Sequence, residues 1–368
     1  MGGSVRDELL GLPVEDRDYV VVGADPAEMM RQGFKPVGAD FPVFLHPGTH
    51  EEYALARTER KTGPGYKGFA FHAAPSVTLE EDLRRRDLTI NAMARGDDGR
   101  LIDPYGGAAD LKAGILRHVS DAFGEDPVRI LRVARFAARF GFGVAPETLA
   151  LMVAMVERGE ADALVPERVW REVARGLMEK SPSRMVAVLR ECGALARILP
   201  ELDEKFSDPR VPERLAGRLE RSAAKGYALP VRYASLVLDL GVEESLVLAR
   251  RVNAPSDCRD LARLAILDSA LLGGGADLDA ESALGILERS DAFRRPERLD
   301  RLLEVAVCAA SGEGHATRAA GSKLRRAMEA ARKVDAARIA QENSDDVPGA
   351  IRRARLAAIA GLQPPTGH

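Results

Sequence analysis

Asp16 and Asp18 stand one residue apart and run directly into the apolar stretch Tyr19-Val20-Val21-Val22. Side chains alternate along a strand, so both carboxylates point the same way while the apolar run enters a core. Two carboxylates on one face can hold divalent metal ions, and a metal pair clamps the attacking and leaving oxygens of a phosphoryl or nucleotidyl transfer. A solvated strand end is the plain alternative. Upstream lies Gly2-Gly3-Ser4-Val5-Arg6-Asp7, followed by a short amphipathic stretch that stops at Gly11-Leu12-Pro13. Small residues opening a helix let backbone N–H groups approach phosphate oxygens, and Arg6 adds a guanidinium. Read alone, this is an ordinary chain terminus with one arginine. Glycine pair and aspartate pair, one short helix apart, form a much rarer combination.

Two arginine-rich stretches follow. Arg84-Arg85-Arg86 comes after the Gly-rich stretch Lys61 to Gly68 and is a candidate for phosphate or RNA backbone. Glu80, Glu81, Asp82 and Asp87 nearly cancel it, which is the solvated-cluster reading. In Glu125 to Arg139, Pro127 fits the first turn of a helix and Asp126 the position before it. Arg129, Arg132, Arg135 and Arg139 then lie along one helical stripe. Within that stripe only Asp126 opposes them, which favours phosphate or base edges over a solvated face.

The elements that must position these groups fall into two textures. Tyr19–Val22 reads as a buried strand, and Glu52 to Ala56 as another. After Arg117 the sequence turns to Ala, Leu, Arg and Glu at helical spacing, as in Val128 to Phe140, Glu167 to Met178, Met185 to Leu195 and Ala234 to Val252. The expected fold class is α+β: an α/β head over about 1–118, then all-helical chain. Gly273-Gly274-Gly275 marks a turn and Pro364-Pro365 a frayed tail. With 46% hydrophobic and 30% charged residues, the chain is neither wholly disordered nor membrane-embedded. No apolar run approaches the ~20 residues that span a bilayer. Charge near the start argues against a signal peptide. The three cysteines, Cys192, Cys258 and Cys308, suit reduced thiols in a cytosol. A net charge of −3 places any nucleic-acid contact on local patches.

In this order and spacing, the four motifs resemble the class II tRNA nucleotidyltransferases, the CCA-adding enzymes. The resemblance runs almost unbroken from Gly2 to about Glu201 and includes Asp40 to Pro47 and His50 to Arg57. Beyond Glu201 it is patchy, though Pro255 to Leu264 and Ser290 to Arg298 still match. It implies a DNA-polymerase-β-like nucleotidyltransferase head (1–118), a helical neck reading the nucleotide base and RNA (119–205), and a helical body holding tRNA (206–368). It further implies that Gly3 and Arg6 contact the incoming triphosphate. Asp16 and Asp18 would bind Mg²⁺, with Glu52 as a third carboxylate. Arg86 would serve the ribose and phosphate side, Asp126 and Arg129 would read the base, and Arg132 and Arg135 would make further nucleotide contacts. The implied reaction is attack of the tRNA 3′-hydroxyl on the α-phosphate of CTP or ATP, with release of pyrophosphate. Implied partners are tRNA, CTP and ATP, with no membrane and no protein partner.

The base-reading assignment has its own chemistry. Cytosine presents an N4 amino donor beside the N3 acceptor, and adenine an N6 amino donor beside the N1 acceptor. An acceptor at Asp126 and a donor at Arg129, side by side at i and i+3, complement both edges. Uracil and guanine oppose them with a carbonyl and an N–H. Side chains can thus replace a template.

The sequence departs from relatives that carry a metal-dependent phosphohydrolase domain. Where those have His-Asp-Leu-Gly-Lys, this chain reads Leu238-Asp239-Leu240-Gly241-Val242, and no histidine occurs between His118 and His315. Phosphohydrolase activity is therefore disfavoured. Poly(A) polymerase, a partial CC- or A-adding enzyme, and a catalytically silent tRNA-binding protein remain as alternatives. Relatives also begin with an apolar strand before the Gly-Gly pair. The expectation here is a product starting about five residues upstream of Met1, without which Gly2 and Gly3 would be untethered.

Overall fold

The computed structural model describes residues 1–368 apart from 15–16, 38–42, 62–68, 274–277, 311–313, 344 and 363–368. Asp16, Asp40-Phe41-Pro42, most of the Gly-rich stretch 61–68, Gly274-Gly275 and Pro364-Pro365 lie outside the described residues. The chain forms two compact units, Met1–Gly176 with Arg184–Ile198, and Leu177–Ser183 with Leu199–His368. No helix is long and apolar enough to cross a membrane, among the described residues.

The first unit opens with helix α1 (Gly3–Leu9), which stops at Gly11 in the left-handed region (φ 67°). Gly2 also has φ 67°, and a Cβ there would lie 2.8 Å from Nη1 of Arg86, so glycine is required on two counts. The Gly2 N–H donates to the Met93 carbonyl at 2.8 Å, which tethers the residue expected to be loose. Four strands form a sheet in the order β1 (Tyr19–Val21), β4 (Glu52–Leu55), β3 (Val43–Leu45), β2 (Lys35–Pro36). β1 runs parallel to β4 with Tyr19 opposite Tyr53, and β3 runs antiparallel to β4 with Val43 opposite Ala54. Helix α2 (Pro26–Arg31) supplies Met29, which closes a core with Phe44 and Leu55. β1 is shorter and less buried than the expected Tyr19–Val22 strand. All three residues are half-buried and Val22 is exposed, because among the described residues β1 pairs only with β4. A second hairpin pairs β5 (Arg57–Lys61) with β6 (Phe69–Ala73).

Helix α3 (Leu79–Arg84) opens with a capping box: Thr78 Oγ1 accepts from Glu81 N–H, and the Glu81 carboxylate accepts from Thr78 N–H. It leads into a turn whose Leu88, Ile90, Ala92 and Met93 are fully buried. Helix α4 (Gly107–Ala113) packs so closely on that turn that a Cβ on Gly107 would lie 2.2 Å from the Thr89 carbonyl oxygen. Helix α5 (Val128–Phe140) lies where its spacing predicts and buries Ile130, Leu131, Val133 and Ala134. Gly141 ends it in the left-handed conformation. Helices α6 (Pro146–Glu157) and α7 (Pro166–Met178) follow. The stretch expected as one helix over 185–195 is broken at Gly193 (φ 76°), which separates Pro182–Glu191 from Ala194–Ile198.

The second unit is helical throughout its described residues. Its central helix Leu229–Val237 buries every residue from Pro230 to Val237. Arg232 is buried without a carboxylate bond, donating instead to the Tyr227, Leu177 and Glu179 carbonyls, and burial pulls its pKa below the usual arginine range. The helix expected to continue to Val252 breaks after Val237. Gly241 starts a new one, Val242–Arg251, with the Glu244 carboxylate accepting the Gly241 N–H at 2.7 Å.

Candidate active site

A cavity of about 510 Å³ opens in the first unit. Its floor is the edge of the sheet. Because Tyr19 sits opposite Tyr53, with rings stacked 4.5 Å apart, the preceding residues Asp18 and Glu52 are neighbours on the other side of the pleat. Both line the cavity, with Val43 and Ala54 beside them. Asp16 lies outside the described residues.

The turn after α3 supplies the second wall. Asp82 is buried and accepts from Arg85 Nη2 at 2.6 Å and Arg86 Nη2 at 3.4 Å. Burial works against its ionised form, but Arg85 and then Arg86 hold its pKa below the usual carboxylate range. Arg85 and Arg86 face the cavity, whereas Arg84 is exposed. Arg86 is half-buried, its enclosed Nε has no hydrogen-bond partner among the described residues, and burial lowers its pKa. Asp87 accepts from Leu88 N–H at 2.9 Å, Asn91 Nδ2 at 3.0 Å and Arg132 Nε at 2.7 Å. Burial alone would raise its pKa. Arg132, then the Asn91 bond, overcomes that and holds Asp87 far below the usual range. The same contact raises the Arg132 pKa.

Helices α5 and α7 close the site. Asp126 sits just before α5, and its Oδ1 accepts the Val128 N–H at 3.1 Å, satisfying one orphan donor of the first turn. Arg168 of α7 grips the same carboxylate with both terminal nitrogens, Nη1 to Oδ1 at 3.1 Å and Nη2 to Oδ2 at 2.7 Å. Arg129, the second residue of α5, is 9% exposed and donates to the main-chain carbonyls of Ala122 (2.8 Å) and Arg85 (2.6 Å). Both Asp126 and Arg129 reach the cavity wall. Eight arginines line this space against five carboxylates. Three of the carboxylates, Asp87, Asp126 and Glu172, are engaged by arginines. The surplus suits a polyanion.

Of the residues singled out in the sequence, the cavity gathers Asp18, Glu52, Arg86, Asp126, Arg129 and Arg132. Gly3, Arg6 and Arg135 lie off its wall. Arg6 is 4% exposed, lies over the Phe136 and Phe140 rings and donates from Nε to Asp7 Oδ1 (2.9 Å) and from Nη1 to Asn91 Oδ1. It ties α1 to α5. Arg135 points into the unit, with Nε 2.6 Å from Glu172 Oε2. Arg85, expected with its neighbours as a phosphate or RNA-backbone contact, also lines the wall, whereas sequence reasoning missed Arg57, Asp87, Arg168, Arg171, Glu172 and Arg175 there. The α7 arginines recur at three- and four-residue spacing, a signal as plain as that of α5. Among the described residues, Arg171 and Arg175 make no ion pair or hydrogen bond, and both are exposed.

Residues 1–117 match the poly A polymerase head domain, and residues 141–206 match the probable RNA and SrmB-binding site of polymerase A. The chain is 56% identical to the multifunctional CCA protein of Azoarcus sp. (strain BH72), over 99% of this chain and 96% of that protein. It is 52% identical to the multifunctional CCA protein of Neisseria gonorrhoeae (strain NCCP11945), over 99% and 97%. The chain belongs to the multifunctional CCA protein family. It is thereby an enzyme, a CCA-adding nucleotidyltransferase. Its fold matches the crystal structure of the Bacillus stearothermophilus CCA-adding enzyme in complex with CTP, with TM-score 0.72 and 25% identity over 98% of this chain and 88% of that one. The Thermotoga maritima CCA-adding enzyme complexed with tRNA shares the fold at TM-score 0.68 and 22% identity, over 99% and 87%.

Enzymes of the poly(A) polymerase head type generally use divalent metal. The adjacent oxygen donors Asp18 and Glu52 have the hard chemistry such a cation takes. In the second unit of this CCA protein family member, Asp239 has different company. It accepts from Arg214 Nη2 at 2.9 Å and from both terminal nitrogens of the buried Arg218, which makes it the anion of a structural ion pair.

Proposed function

We propose that this enzyme builds and repairs the 3′-terminal CCA of tRNA from CTP and ATP, without a nucleic-acid template, releasing pyrophosphate. The observation that carries the reading is one cavity holding a carboxylate pair, an arginine surplus and the Asp126–Arg129 base-edge pair. Asp18, with Asp16 and Glu52, would hold Mg²⁺. When bound, the metal lowers the pKa of the attacking hydroxyl and stabilises charge on the leaving oxygens. Arg86 and Arg132 attract the triphosphate and ribose side, and their tethers to Asp82 and Asp87 fix where that positive charge sits. Asp126 accepts the exocyclic amino group of cytosine or adenine, and Arg129 donates to the adjacent ring nitrogen. Arg6 and Arg135 support this wall from behind. Gly2, at the opening of α1, lies beside Arg86 on the phosphate side, and Gly3 beside Arg6.

The division of labour into head (1–118), neck (119–205) and body (206–368) belongs to the same proposal, the body holding tRNA by shape and phosphate contacts in the cytoplasm. The test offers tRNAs ending before CCA, after C and after CC, with CTP and ATP separately and together. Completion to CCA from all three supports the reading. Products stopping at CC with both nucleotides present, or long poly(A) tails, contradict it.

A further inference from the structure

A carboxylate has about four acceptor positions. At Asp126 three are taken: Oδ1 by the Val128 N–H (3.1 Å) and Arg168 Nη1 (3.1 Å), and Oδ2 by Arg168 Nη2 (2.7 Å). One position remains, on Oδ2, and the side chain is partly exposed at the cavity wall. This count matters for base choice. Cytosine and adenine each ask the carboxylate for a single amino N–H. Guanine instead offers the fork of N1–H and N2–H, which matches both oxygens of a free carboxylate as a guanidinium does. With its fork already occupied, Asp126 suits one amino group and is closed to the two-point guanine contact.

We propose that Arg168 is a specificity-determining positioning residue, which excludes guanine by occupying the fork of Asp126 and leaving a single acceptor position for the amino group of cytosine or adenine. This rests on the assignment of Asp126 to base reading given above. Arg168 touches no base in this account and acts only through Asp126. Without it, the carboxylate is held by the Val128 N–H alone, and the space of the guanidinium opens toward the cavity. Guanine then gains two bonds to Asp126 and places O6 toward the donors of Arg129. Uracil, with one N–H on that edge, gains less.

The experiment measures single-turnover incorporation of each of the four nucleotides into tRNA ending before CCA, by the parent enzyme, Arg168→Ala and Arg168→Lys. The GTP-to-CTP rate ratio within each protein is independent of the folded fraction, so a partly unfolded variant still reports. Arg168→Ala should raise that ratio about tenfold or more, the scale on which one good bidentate contact discriminates bases. UTP should rise less, and Arg168→Lys, a single charged point without the fork, should fall between. If Arg168→Ala slows all four nucleotides by one common factor, Arg168 is merely structural and the inference fails while the function stands. If the parent enzyme uses neither CTP nor ATP, the base-reading assignment itself falls, and this inference with it.

Discussion

Asp18 and Asp87 show how neighbours decide what a carboxylate does. Asp18 shares its face of the sheet with Glu52 and opens to the cavity, so Asp18→Ala should abolish incorporation of both CTP and ATP while tRNA binding, measured by filter retention, is kept. Near-parental turnover would contradict the metal assignment. Asp87 is enclosed and held ionised by Arg132 and Asn91. Its pKa is lower in the folded chain than the ordinary ~3.9 of the unfolded one. The stabilisation it provides is therefore fully present above that value and is lost as the pH falls through it toward the folded pKa. Acid unfolding should be shallower in Asp87→Asn than in the parent, with the two curves running parallel above about pH 5. Asp126 and Arg129 were legible in the sequence because a helix start and an i,i+3 spacing are local. Arg168 was not, because its meaning lies in a carboxylate 42 residues away, brought near only by packing.

At the scale of elements, Asp126 just before α5 and Arg129 in its first turn set the reading pair at the start of the helix, which is anchored further along. Arg135 Nε meets Glu172 of α7, both nearly buried, and the Arg135 guanidinium lies 4.4 Å over the Phe136 ring. Breaking a buried ion pair by removing one partner costs about 3–5 kcal/mol. Glu172→Gln should therefore lower the melting temperature strongly and slow CTP and ATP use by a similar factor, with base choice unchanged. Arg135→Met combined with Glu172→Leu should recover most of the loss, since apolar packing replaces a buried pair at little cost. Thermal melts of the three proteins check this. The α5 boundaries were readable from Pro127 and Gly141. The break after Val237 was not, because Ala234 to Leu238 reads on at helical spacing; the turn is accompanied by the ion pairs of Asp239 with Arg214 and Arg218 and by Gly241, which opens the next helix with Glu244 on its N–H.

Over the whole molecule, chemistry concentrates in the first unit, whereas the second is built around buried arginines and apolar helices. Arg232 and Arg218 are spent on carbonyls and on Asp239. A phosphohydrolase metal site needs several histidines beside carboxylates, and this sequence has none from 119 to 314. Purified protein should accordingly show no Ni²⁺- or Mg²⁺-stimulated phosphatase or 2′,3′-cyclic phosphodiesterase activity. Robust hydrolysis of bis-p-nitrophenyl phosphate would contradict this.

The central claim is that side chains at the start of α5 replace a template, and it is tested most directly by removing the donor of the reading pair. Incorporation from CTP, ATP, UTP and GTP into tRNA lacking CCA is to be measured for the parent enzyme and Arg129→Ala. The account predicts CCA alone from the parent, and from the variant slower CTP and ATP use with a relative gain of UTP and GTP. Unchanged discrimination in Arg129→Ala would contradict it.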